Sequence, residues 1–161
     1  MSGDCMEFIP IDLNEHRDYV IQFRKDSFIV SFGSDDDFGS EEDYLDWFKQ
    51  QSEKYPEGFV LAVENQQPIG QLELTLKEFD GKQIGYVNLY YLISEKRGMG
   101  YGTLLHNYAL NFFKNNGVNE YHLRVSPTNR NAISFYIKNG MKKINTEMNG
   151  KVLRFSGNLP C

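Results

Sequence analysis

Tyr86-Val87-Asn88-Leu89-Tyr90-Tyr91-Leu92-Ile93 runs directly into Ser94-Glu95-Lys96-Arg97-Gly98-Met99-Gly100-Tyr101-Gly102-Thr103. The first eight residues are nearly all apolar or aromatic, which reads as a strand in the middle of a sheet. Beyond the glycines, Leu105, Tyr108, Ala109 and Phe112 recur at i, i+3, i+4 and i+7, the apolar stripe of a helix. A tight glycine turn between such a strand and such a helix lines up backbone N–H groups. Together with the positive end of the helix dipole they form an anion site. Glycine suits that turn because a side chain would hold a phosphate away from the backbone, and because tight turns call for positive φ. Lys96 and Arg97 add positive charge beside it.

Toward the N-terminus, Met6 to Ile11 reads as a strand. From Asn14 the spacing turns helical, with Tyr19, Val20, Phe23 and Ser27 on one face. Residues 34–40 form a loop by composition. Ser40 opens a second helix, with Asp43 three residues on as a variant capping box. Phe59 to Glu64 is a strand and Asn65 to Pro68 a turn. Ile69 to Phe79 alternates, with Leu72, Leu74 and Leu76 on one face and Gln71, Glu73 and Thr75 on the other. Asp80-Gly81 marks a hairpin. On the far side of the loop, Asn115-Asn116-Gly117 ends the helix. Tyr121, Leu123 and Val125 alternate as a strand, and Asn131 to Asn139 is a short helix stopped by Gly140. A final hairpin turns at Asn149-Gly150. The order is strand, two helices, three strands, helix, strand, helix, two strands. The fold class is mixed α/β (α+β), with a largely antiparallel sheet, in one domain over residues 1–161.

The whole chain narrows the function. Its 161 residues, 40% apolar and 24% charged, suit one globular domain with a real core. A net charge of −5 and the lack of a basic patch argue against a nucleic-acid partner. The apolar runs are short, as in Phe59 to Val63, so no membrane span is expected. The first residues carry no signal-peptide pattern, and a cytoplasmic location follows. Cys5 and Cys161 stand at the two ends; a disulfide between them is unnecessary for such a core, and neither has metal-site spacing. His16, His106 and His122 read as structural or surface residues.

Three phosphate-binding patterns compete for the loop. A nucleotide-hydrolase loop needs a Lys after its last glycine, and Thr103 stands there. A dinucleotide fingerprint needs G-x-G-x-x-G, and Gly98, Gly100 and Gly102 misplace the third glycine. The R-x-x-G-x-G loop that GNAT acyltransferases use for the coenzyme A pyrophosphate is matched by Arg97, Gly100 and Gly102. Downstream, Asn129, Ala132, Phe135, Tyr136, Gly140 and Met141 resemble the same family's N-x-x-A-x-x-F-Y-x-x-x-G-[FM] signature. The resemblance runs from Met6 to about Phe155.

That resemblance implies a sheet of about seven strands with about four helices and a splay between strands four and five. It implies acetyl-CoA or coenzyme A as co-substrate, with pantetheine lying against Leu92, Ile93 and Ser94. A backbone N–H there would stabilise the oxyanion. The pyrophosphate would rest on Arg97, Gly98, Met99, Gly100, Tyr101, Gly102 and Thr103, and Asn129 would hydrogen-bond the pantetheine arm. Tyr136 falls at the position of the general acid that protonates the leaving thiolate. No carboxylate lies between Tyr86 and Ser94, so the base is either Glu73 or a water relay. With no convincing active-site cysteine, direct transfer in a ternary complex is implied rather than an acyl-enzyme. The acceptor is a primary amine of a small molecule or peptide. The acids Asp35, Asp36, Asp37, Glu41, Glu42 and Asp43 either attract a cationic acceptor or simply favour a helix N-terminus. A non-catalytic acyl-CoA sensor is the alternative function, and both a monomer and a homodimer fit.

Overall fold

The computed structural model describes residues 6–160, so the Cys5–Cys161 pair lies outside the described residues. The elements run β1 (Met6–Pro10), α1 (Leu13–Phe32), α2 (Glu41–Lys54), β2 (Phe59–Glu64), β3 (Gln67–Phe79), β4 (Lys82–Leu92), α3 (Tyr101–Asn115), β5 (Glu120–Val125), α4 (Arg130–Lys138), β6 (Lys142–Glu147) and β7 (Val152–Asn158). Their order is the one the sequence predicts. The seven strands form one sheet in the order β1-β2-β3-β4-β5-β7-β6, and only β4 and β5 run parallel. No helix among the described residues is long and apolar enough to cross a membrane.

Local chemistry sets the boundaries. Asp12 caps α1 by accepting from the Asn14 N–H, and Gly33 ends it at φ 82°. Ser40 Oγ accepts from the Asp43 N–H at 3.1 Å, which opens α2 where the cap predicted it. The β2–β3 turn is tighter than expected: Asn65 and Gln66 take positive φ, and Gln67 and Pro68 already belong to β3. Asp80 and Gly81, both at positive φ, close the β3–β4 hairpin.

The sheet is covered on both faces. On one, Leu72, Leu74 and Val87 pack under Leu105, Ala109, Phe112 and Phe113 of α3. On the other, Leu61, Val63, Leu89 and Tyr91 meet Phe23 of α1, while Phe59 meets Val20 of α1 and Phe48 of α2. The polar row of β3 lies on this second face and is not solvated. Gln71 and Glu73 are 0% exposed and Thr75 2%. Alternation identifies the row but not what covers it; α1 and α2 close over it and supply polar partners.

The sheet also splits. Parallel pairing of β4 with β5 covers only Gly85↔Tyr121, Tyr86↔His122 and Val87↔Leu123. Just beyond, the β3–β4 register shifts, leaving Asn88 as a bulge residue. A bulge bends its strand, and from Asn88 to Leu92 β4 has no partner on the β5 side.

Candidate functional site

The gap between the splayed strands exposes defined backbone groups. In an antiparallel ladder, residues alternate between bonding their partner and pointing away from it. Ile93 donates its N–H to the Ile69 carbonyl at 2.8 Å. Leu92, opposite Gly70, and Tyr90, opposite Leu72, therefore turn their N–H and C=O groups into the gap. The structure thus separates the predicted edge residues. Leu92 presents a free N–H, whereas that of Ile93 is already bonded. Ser94 begins a short 3-10 turn and lies beyond the strand.

The glycine loop opens directly onto α3. Gly100, at φ 91°, is the residue before the helix, and no side chain caps it. The first-turn N–H groups, through Tyr101, Gly102 and Thr103, have no intrahelical partners by geometry and point toward the loop. A Cβ built on Gly98 or Gly100 would meet nothing within 4 Å, so the space above the loop is open. Met99, 63% exposed, stands at its tip. The two cations do not point freely into this space. Arg97 Nε donates to the Leu92 carbonyl at 2.9 Å, and its Nη2 lies 3.4 Å from Asp26 of α1. Lys96 Nζ is 2.6 Å from Glu64, whose other oxygen accepts from the Tyr101 hydroxyl. Both cations tie the root of the loop to its surroundings.

Tyr136 flanks the gap from the α3 and α4 face. Its ring centroid is 6.3 Å from that of Tyr90 on β4 and 6.3 Å from that of Phe155 on β7. Its hydroxyl has no hydrogen-bond partner among the described residues. Burial pushes its pKa well above the ordinary tyrosine value, so the phenol is held protonated. Phe135 packs on the loop, 3.4 Å from where a Gly102 Cβ would stand. Asn129 Oδ1 caps α4 by accepting from the Ala132 N–H at 3.3 Å, which leaves its amide N–H groups for a ligand. His106 bridges the hydroxyls of Tyr90 and Tyr121 at 3.1 and 3.3 Å, and burial pushes its pKa down.

Glu73 lies on the opposite face of the sheet. Arg24 Nη1 donates to its Oε1 at 3.2 Å, and Gln71 Nε2 to its Oε2 at 2.7 Å. The Tyr44 hydroxyl also donates to Oε2. Burial pushes the carboxyl up, against the pull of Arg24 and the two other donors. Arg24 Nη1 also reaches the carbonyl of the bulge residue Asn88 at 3.0 Å, so this cluster holds the bulge in place. Between α1 and the end of β4 runs a groove of about 680 Å³ that includes Ile21, Asp26, Glu41, Tyr91, Ile93 and Glu95. Three members of the acidic cluster have structural positions. Glu41 pairs with Lys25 at 2.7 Å, Asp37 with Lys151 at 2.6 Å, and Asp43 takes the Ser40 cap.

A splayed parallel pair beside a helix that opens behind a glycine turn is the geometry the resemblance implies. The sequence model of the acetyltransferase (GNAT) family matches residues 18–141, most of the chain. The chain belongs to the GNAT acetyltransferase family. No curated protein sequence matches it significantly. Solved GNAT structures share the fold at low identity. The PaiA N-acetyltransferase of Thermoplasma acidophilum, solved with coenzyme A, is 22% identical with a TM-score of 0.71, over 96% of this chain and 99% of that one. A GNAT acetyltransferase of Staphylococcus aureus is 16% identical with a TM-score of 0.75, over 97% and 100%. Arabidopsis thaliana Naa50, solved with a bisubstrate analogue, is 19% identical with a TM-score of 0.70, over 94% and 97%.

Within this GNAT fold, sequence reasoning missed Arg24, Tyr44 and Asn88. Arg24 follows Phe23 on α1, and its partner Glu73 is 49 residues away. No local pattern signals that pairing, and none marks Asn88 as the bulge.

Proposed function

We propose that residues 1–161 form one N-acetyltransferase domain that moves the acetyl group of acetyl-CoA to a primary amine of a small molecule or peptide. The observation that carries this reading is the unpaired β4 edge at Tyr90 and Leu92, set between the uncapped N-terminus of α3 and the Tyr136 ring. The pyrophosphate rests on the first-turn N–H groups of α3. The pantetheine arm lies along the open edge, where Leu92 and Asn129 supply donors. A β4 N–H polarises the thioester carbonyl and stabilises the oxyanion. The amine nitrogen bonds to the acetyl carbon and the carbon–sulfur bond breaks. Tyr136, held protonated by burial, supplies a proton to the departing thiolate.

An alkyl amine, with an ordinary pKa near ~10, must lose a proton first. Water takes that proton in this reading, because both Glu73 oxygens are already bonded and the side chain is 0% exposed. The same observation, with no carboxylate on β4, is what favours the second reading of a non-catalytic acyl-CoA sensor. A cytoplasmic site of action is part of the same reading. The test is calorimetric titration with acetyl-CoA followed by thiol release with a panel of amines. Binding with amine-dependent release supports transfer, binding without release leaves the sensor, and no binding removes both.

A further inference from the structure

Beyond α1 and α2, the same sheet face carries side chains that no step above uses. The register places them together: Thr75 pairs with Tyr86, Tyr86 with His122, and Arg124 with Arg154. Lys77, two residues past Thr75, shares this face. Its Nζ lies 4.1 Å from the Tyr86 ring centroid. The Arg154 guanidinium lies 5.7 Å from the same ring and 4.5 Å from the Phe79 ring.

Two arginines of this face share one acid. Glu147 accepts from Arg124 Nε at 2.8 Å and from Arg154 Nε at 2.9 Å. Lys77 has no carboxylate within ion-pair distance among the described residues. Three cations to one carboxylate leave a local positive excess on a chain whose net charge is −5. The excess acts on its members. Lys77 has its pKa pushed down first by burial, then by Arg124 and Arg154. Arg154 is braced by His122 Nδ1, which accepts from its Nη1 at 2.9 Å, so this guanidinium is positioned rather than splayed into solvent. Arg124 is 40% exposed and keeps guanidinium N–H groups for a partner.

The patch lies beside the point where the gap opens. Tyr86 stands two residues before Asn88, where β4 leaves β5, a separation of about 7 Å at the rise of a strand. We infer that Lys77 and Arg124 bind an oxyanion, a carboxylate or a phosphate, carried by the acceptor amine a few bonds from its nitrogen. This rests on the acyl-transfer reading and names its substrate class. An anion there meets the net positive charge of the cluster, whereas a second cation would meet repulsion.

The test compares matched acceptors in the thiol-release assay: β-alanine against β-alaninamide for the carboxylate, and phosphoethanolamine against ethanolamine for the phosphate. A charge-assisted contact makes kcat/KM for the acid about 10–100-fold above that for its neutral mate. Lys77→Gln and Arg124→Gln each collapse that ratio toward one, while Lys114→Gln, on α3, leaves it unchanged. The arm with the larger ratio tells carboxylate from phosphate. Equal rates for acid and neutral mate, or a ratio that survives both substitutions, overturn the inference and leave acyl transfer standing. If no amine releases coenzyme A, acyl transfer itself fails, and calorimetry of the same acids against coenzyme-loaded protein decides. Tighter binding of the acid that Lys77→Gln removes sustains the subsite; equal binding of acid and mate overturns it.

Discussion

Replacing Gly100 by alanine separates the two roles that its loop combines. Gly100 sits at φ 91° before α3, and Gly117 sits at φ 77° just past the other end of the same helix. Neither has an atom within 4 Å of where a Cβ would stand. Both substitutions therefore carry only the backbone cost of a left-handed L-residue, roughly 1–2 kcal/mol. For a chain of this size each kilocalorie lowers Tm by about 2–4 °C, so both variants are expected to melt about 2–8 °C below wild type. Coenzyme affinity should divide them. At Gly100 the methyl group stands in the open space above the first-turn N–H groups, and a lost phosphate contact should weaken acetyl-CoA by at least about tenfold. At Gly117 affinity should stay within a factor of about two, since additivity holds for distant sites. Thermal unfolding and calorimetric titration of both variants give the comparison. Equal coenzyme affinity in the two folded variants would refute the cradle and leave Gly100 as a turn residue.

Other outcomes follow from the same geometry. Tyr136→Phe keeps the ring between Tyr90 and Phe155, so the single-turnover rate should fall by about 10²–10⁴-fold with acetyl-CoA affinity little changed; loss of stability at an unchanged rate would make Tyr136 structural. Because burial raises its pKa, Tyr136 stays protonated as pH rises. The wild-type rate should therefore show no descending limb from this group below the ordinary tyrosine value of about 10, and pH profiles measured by stopped flow check it. Glu73→Gln leaves Arg24 without its carboxylate. Allowing for the partial exposure of Arg24, stability should drop by about 1–3 kcal/mol in urea titrations, with the rate per folded molecule changed by less than about tenfold. Asn129→Ser keeps a capping oxygen and loses the amide donors, so it should weaken acetyl-CoA while holding Tm better than Asn129→Ala, whose lost cap costs about 0.5–2 kcal/mol.

The elements that local chemistry dictates were legible in the chain. The Leu105 to Phe112 stripe, the Ser40 cap, the Asp80-Gly81 turn and the glycine loop each carry their own signal within a few residues. Features that depend on distant partners were not. Alternation marks Gln71, Glu73 and Thr75 as a polar row, and only tertiary packing decides that α1 and α2 bury it. In sequence the loop cations read as charge for a phosphate; in the folded chain Lys96 meets Glu64 and Arg97 meets Asp26. Leu92 and Ile93 are alike in sequence, yet ladder parity gives only Leu92 a free N–H. The cluster of Lys77, Arg124 and Arg154 draws on three strands, so no window of sequence contains it.

Acyl transfer to an amine is the central claim, and one single-turnover measurement addresses it most directly. Protein in excess over acetyl-CoA is mixed with a panel of amines, quenched, and analysed by mass spectrometry for N-acetylated amine, free coenzyme A and acetylated protein. The expected result is amine product and coenzyme A in equal amounts, with no acetyl group held on the protein. Acetyl-CoA that binds but stays intact with every amine, or an acetyl group that first accumulates on the chain, would contradict it.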